Sequence, residues 1–133
     1  MLISITKEFN FSAGHFLLGH PKCGDMHGHN YRVLVEVVGP VVTEPLAEIG
    51  MIIDFNHLDA ICEPIMEKYD HKLLNDVMTM TPTVENLAES IAYSLQTMFG
   101  GNARWPHVKL KKVTVYETEK SFATVYMSPG RTE

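Results

Sequence analysis

Basic residues are scarce in this chain: 11 Lys and Arg stand against 16 Asp and Glu, for a formal net charge of −5. A nucleic-acid binder needs a basic stripe to neutralise phosphates, so the balance argues against that class. The local group Lys109, Lys111 and Lys112 falls in a strand-like run and reads as a solvated face. Cysteine is sparser still. Cys23 and Cys62 stand at unrelated positions, which excludes a disulfide framework and suits a reducing compartment. No apolar run approaches the roughly 20 residues needed to span a bilayer. Met1 to Lys7 lacks the charged start and apolar stretch of a signal peptide, so the expected location is cytoplasmic. Low-complexity tracts are also missing. With 133 residues, 45% of them hydrophobic, a single domain over 1–133 with a real core is expected.

What is present is alternation. Ile3, Ile5, Lys7, Phe9, Phe11, Ala13 and His15 share one phase of the first run. His29, Tyr31, Val33, Val35 and Val37 share one phase of the second. Period two with one mostly apolar face predicts two half-buried strands, and Gly19, Pro21 and Gly24 mark the loop between them. Asp54-Phe55-Asn56 offers N-cap residues for a helix whose stripe is Leu58, Ile61, Cys62, Ile65, Met66 and Tyr69, with Pro64 expected to kink it or restart it. Tyr69 to Asn75 reads as a polar break. A second helix opens at Thr83, with Glu85 in its first turn, carries Val84, Leu87, Ala88, Ile91, Ala92, Leu95, Met98 and Phe99, and stops at Gly100-Gly101. Two more strands follow, from Val108 to Glu117 and from Phe122 to Met127, joined at Thr118 to Ser121. The expected fold is α+β, in two layers: an antiparallel four-stranded sheet with two helices on one face, in the order ββααββ. The exposed edges of such a sheet make a homo-oligomer a fair expectation.

If the first two runs pair as an antiparallel hairpin, His15 lies opposite the region of His27 and His29, and residues two apart on a strand point the same way. Three imidazoles then converge at the loop end of the hairpin. Three neutral nitrogen donors with an open fourth position match a catalytic metal site better than a closed structural one. The bland alternative is a polar loop with solvated histidines. Cys23 has two readings that spacing leaves open. It is a fourth ligand that closes the site, or a free thiolate whose lowered pKa makes it a general base. Cys62 lies on an apolar helix stripe and reads as a core thiol. Asp70-His71 is a pair in which the carboxylate can hold one tautomer of the imidazole. Glu117 follows Val113 and Val115 on an inward face, where a carboxylate needs a partner. It equally suits a strand end reaching solvent. His20, His57 and His107 have no such context and read as structural or surface residues.

Six segments in order resemble the 6-pyruvoyltetrahydropterin synthase family, and within it the 6-carboxytetrahydropterin synthase branch. They are Phe11 to His15, Cys23 to Tyr31, Gly50 to Phe55, Asp70 to Asn75, Pro82 to Ala88 and Val115 to Thr118. The resemblance implies the tunnelling fold, in which subunits join their sheets into a barrel, usually as a hexamer with active sites between subunits. It implies Zn2+ held by His15, His27 and His29, with Cys23 as proton acceptor and Asp70 and His71 as a relay. Glu117 would anchor the pterin ring, and Thr83 and Glu85 would lie near the pterin pocket. The implied reaction turns 7,8-dihydroneopterin triphosphate into 6-carboxytetrahydropterin, acetaldehyde and triphosphate, on the way to queuosine or another 7-deazaguanine. The short spacer Gly24-Asp25-Met26 resembles the carboxy branch, whereas a longer one is typical of enzymes that make 6-pyruvoyltetrahydropterin. Two alternatives stand beside this: 6-pyruvoyltetrahydropterin synthesis, and a non-catalytic zinc-binding assembly protein using Cys23 as fourth ligand.

Overall fold

A computed structural model describes residues 1–128. The two alternating runs form β1 (Ile3–His15) and β2 (His27–Gly39), antiparallel throughout. Helix α1 (Phe55–Glu67) leads to β3 (Lys72–Leu73) and the short α2 (Leu74–Val77). Helix α3 (Val84–Phe99) and the hairpin of β4 (Lys109–Thr118) and β5 (Ser121–Tyr126) complete the described chain. The last residues of the expected 1–133 domain lie outside the described part. Among the described residues no helix is long and apolar enough to cross a membrane.

The expected two-layer α+β architecture is present, with one strand more than the periodicity predicts. The sheet has five strands in the order β3-β1-β2-β4-β5. The extra strand, β3, pairs parallel with Ala13 and Gly14 of β1. Its two residues are too few to carry a readable period, and only their neighbour in space makes them a strand. The Tyr69 to Asn75 stretch is therefore not a simple polar break: Tyr69 and Leu74 are buried in it. The last two strands begin or end a residue away from the expected bounds, because pairing rather than composition sets their ends.

Both long helices start as expected. The Asp54 side chain accepts the Asn56 amide, and the Thr83 hydroxyl accepts the Asn86 amide. Helix α1 runs on through Pro64, and α3 ends at Gly100 with Gly101 at φ 74°. The core fills the space between helices and sheet: Val33, Val35, Val37, Val113 and Val115 meet Leu58, Cys62, Leu87, Ile91 and Leu95, all fully buried. Met98, assigned above to the apolar stripe, is instead exposed. Toward the His15 end the core turns aromatic. Phe11 stacks on Tyr31 at 5.2 Å and on Tyr69 at 5.7 Å between centroids. Ile91 sits in the middle of α3, so Ile91→Ala leaves a cavity that neighbouring elements cannot close. It should cost about 2–5 kcal/mol of unfolding free energy, read as a lower urea midpoint at unchanged slope.

Candidate metal centre and its carboxylates

Register builds the centre. His15 pairs directly with His27, and Ala13 with His29, so all three imidazoles share the helix-facing side of the β1–β2 hairpin. Their candidate ligand atoms lie within 4.8 Å of one another, and His15 is fully buried. The rings are held from behind. His15 donates through Nδ1 to the Pro82 carbonyl at 2.8 Å, and His27 donates through Nδ1 to the Asp25 carbonyl at 2.8 Å. Because a carbonyl only accepts, both rings carry their proton on Nδ1 when neutral. Their Nε2 atoms then face each other, 3.0 Å apart, lone pair against lone pair. His29 Nε2 is buried with no hydrogen-bond partner among the described residues. Burial first, then the adjacent His15 and His27, hold the His29 pKa below its ordinary value, against the opposing pull of Glu117.

Three bare nitrogens in one small volume suit a shared cation. A tetrahedral zinc with bonds of about 2.0–2.1 Å sets its nitrogens roughly 3.3 Å apart, close to the His15–His27 separation. Carbonyls on the far ring nitrogens are the outer-shell partners that fix tautomer and aim in metal-binding histidines. The donor set fits a divalent metal ion.

Glu117 stands beside the cluster. Its carboxylate oxygens lie 3.8 Å from His15 Nε2 and 3.8 Å from His29 Nε2. It is the extra residue where the β4–β5 register shifts between Tyr116 and Thr118, and such a bulge re-aims a side chain. The inward reading of Glu117 holds, and the solvent-facing one does not. Tyr31 packs against the same group, its hydroxyl 3.4 Å from His15 Nδ1. Burial, with Glu117 adding to it, pushes that phenol well above its ordinary range.

Asp70 and His71 form a pair, but elsewhere. His71 Nδ1 donates to Asp70 Oδ2 at 2.9 Å. The other Asp70 oxygen accepts the Ser12 amide at 3.0 Å, and the His71 amide donates to the Ser12 carbonyl at 2.6 Å. The Ser12 amide, then His71, hold the Asp70 carboxyl below the usual carboxylate range. His71 adopts φ 58°, in the left-handed region that non-glycine residues rarely visit, and its side chain is 81% exposed. The dyad thus clasps the β1 backbone at the sheet edge and turns its ring outward. A cavity of about 480 Å³ lies there, bordered by Ser12, Gly14, Gly28, Asn30 and His71, with His29 at its margin.

Cys23 is half-buried in the Phe16–Met26 loop and is not part of the group of three candidate ligands. Thr83 caps α3, and exposed Glu85 sits in its first turn. Neither lines the cavity beside His71. The linker before them does reach the centre, through the Pro82 carbonyl. That contact and the Tyr31 hydroxyl escaped the sequence reading, since a backbone carbonyl leaves no sequence signal and Tyr31 reads as core.

Comparison with known proteins agrees with this geometry. Residues 4–128 match the family model described as 6-pyruvoyl tetrahydropterin synthase. A Synechocystis protein named 6-carboxy-5,6,7,8-tetrahydropterin synthase is 38% identical over 95 residues, 69% of this chain and 74% of its own. An Archaeoglobus fulgidus protein that carries the same name provisionally is 38% identical over 125 residues, covering 94% of this chain and 95% of its own. Among solved structures, Caenorhabditis elegans 6-pyruvoyl tetrahydropterin synthase superposes with a TM-score of 0.79 at 26% identity, covering 96% of this chain and 97% of that one.

Two measurements check the centre. Co2+ or Zn2+ titration of the purified chain should saturate at a single ion per chain. His29→Ala should weaken binding by more than the roughly 10–100-fold typical of losing an outer-shell partner. Thiol titration of the native protein should report Cys23 alone. Cys62 is fully buried, with its pKa pushed up to about 12 by burial, and should react only after unfolding in urea.

Proposed function

We propose that this chain, which belongs to the 6-pyruvoyl tetrahydropterin synthase family, is a zinc-dependent 6-carboxy-5,6,7,8-tetrahydropterin synthase. It would convert 7,8-dihydroneopterin triphosphate and water to 6-carboxytetrahydropterin, acetaldehyde and triphosphate, for queuosine or a related 7-deazaguanine. The observation that carries the reading is the group of three bare imidazole nitrogens with the Glu117 carboxylate 3.8 Å away. Three neutral nitrogen donors and an open position favour zinc among common divalent ions. The carboxy branch is favoured by the spacer Gly24-Asp25-Met26 and by the printed names of the relatives.

His15, His27 and His29 would hold the zinc, which when bound supplies Lewis acidity to the hydroxyls of the substrate side chain. The Cys23 thiolate removes a carbon-bound proton from that side chain. Because Cys23 lies outside the ligand group, its sulfur is free to act as base. His71 returns a proton from Nε2, while the ionised Asp70 carboxylate keeps its Nδ1 protonated and the ring in one orientation. Glu117, beside the cluster, accepts hydrogen bonds from the amidine-like edge of the pterin. Thr83 and Glu85, at the start of α3, border the pterin in this reading.

Assembly belongs to the same proposal. The His71 ring turns away from the chain that carries it, and β3 and β5 are sheet edges. A homohexamer, with each active site drawing the metal centre and the dyad from different subunits, accounts for both. Two unpaired thiols suit the cytoplasm, and the whole of 1–133 serves as one catalytic domain.

The test is turnover of dihydroneopterin triphosphate by the zinc-loaded protein, followed as acetaldehyde and 6-carboxytetrahydropterin. Cys23→Ala should lower kcat by about 10²–10⁴-fold while zinc content is kept. A pyruvoyl product without acetaldehyde would move the protein to the other branch. Loss of zinc in Cys23→Ala, with no turnover in the parent, would favour the non-catalytic zinc protein.

A further inference from the structure

The metal centre rests on two strands, but Cys23 rests on a loop. Phe16–Met26 has no regular element of its own, so the position of the sulfur depends on side chains that replace one. Asn75 holds the start of the loop: it accepts the Phe16 amide and donates to the Phe16 carbonyl, both at 3.0 Å. The Leu17 amide donates to the Cys23 carbonyl at 2.6 Å, and the His20 amide to the Leu17 carbonyl at 3.0 Å. These contacts close the loop around residues 17–23. Inside it, His20 Nδ1 accepts the Cys23 amide at 2.9 Å and the Lys22 amide at 3.1 Å. Any Cβ on Gly24 would stand 2.8 Å from the His20 carbonyl oxygen, so the backbone after Cys23 packs directly on that of His20.

We infer that His20 is a positioning residue for Cys23: its Nδ1 gathers the Lys22 and Cys23 amides and fixes the backbone that aims the thiol. The inference rests on the reading of Cys23 as the base. A nitrogen that accepts two amides carries no proton, so the ring is neutral, with its hydrogen on Nε2. Asp and Asn organise turns in this way, through a side-chain oxygen that accepts amides two and three residues on. The oxygen of asparagine occupies the same place along its side chain as Nδ1 of histidine. That of glutamine lies one bond further out. Asparagine should therefore replace His20, whereas alanine and glutamine should not.

The experiment compares His20→Ala, His20→Gln and His20→Asn in the zinc-loaded protein, with melting temperature and zinc content as controls. In His20→Ala and His20→Gln, hydrogen exchange at the Lys22 and Cys23 amides should accelerate at least about tenfold. Their kcat should fall by about 10–100-fold, with KM changed less than about threefold, as for a displaced base with substrate contacts intact. His20→Asn should keep both the amide protection and a kcat within about threefold of the parent. The inference is overturned if amide protection and kcat do not fall together, or if asparagine restores neither. A parent that binds zinc, shows the protected amides and has no turnover would instead sink the enzymatic reading, and the exchange data alone would then decide whether His20 holds the loop.

Discussion

The opposition of His15 and His27 in the β1–β2 register is the constraint on which the rest of the molecule depends. Slipping that register by one residue would turn every side chain of a strand to the other face and scatter the imidazoles. What resists the slip is the buried run Tyr31, Val33, Val35 and Val37, which cannot be exposed without loss of the core. The same pairing brings two ring nitrogens to 3.0 Å, with no proton between them when both rings are neutral. Hydrophobic burial along the hairpin thus holds a repulsive contact at its end, and a cation relieves that contact. The candidate metal centre is in this sense a continuation of the core. Phe11 and Tyr31 stack just beneath it, and the Pro82 carbonyl closes it from the helix layer.

Around this fixed centre the remaining groups differ in how firmly they are held. Glu117 sits on a strand, aimed by a bulge. The Asp70–His71 dyad is tied to both backbone groups of Ser12, so it follows β1 even though it lies in a turn. Cys23 alone depends on a loop. The proposed chemistry matches this grading. A ligand and a ring anchor are placed by the sheet, whereas the base needs the same precision and must obtain it from side chains that brace its loop.

Wherever function coincided with periodicity, the sequence was readable. His15 and His29 fall in phase with apolar faces, and that phase together with hairpin pairing brings three imidazoles together. For Glu117 periodicity left an inward carboxylate and a solvent-facing strand end equally open, because the bulge that aims it has no sequence signal. The two long helices were legible from their stripes and from Asp54 and Thr83 at their starts. Other features carry no local pattern. Strand β3 is too short to show a period, and the Pro82 carbonyl belongs to a backbone any residue would supply. His20 has no periodic neighbours and reads as a surface residue until its ring nitrogen is seen to accept two amides. Met98 shows the opposite failure: it has the right spacing, but in the last turn of α3 Phe99 takes the buried position and Met98 is exposed.

The Asp70–His71 dyad and the histidine cluster are both fastened to β1, three residues apart, at Ser12 and His15. Three residues along a strand advance by about 10 Å. The dyad is clasped to the first of these residues, and the metal centre is built on the second. The exposed His71 ring borders a cavity that His29 also lines, whereas His15, His27 and Glu117 do not line it. On the proposed reading the two regions meet when the edges of neighbouring sheets meet. The unpaired strand edges and the divided catalytic residues then have a single physical explanation.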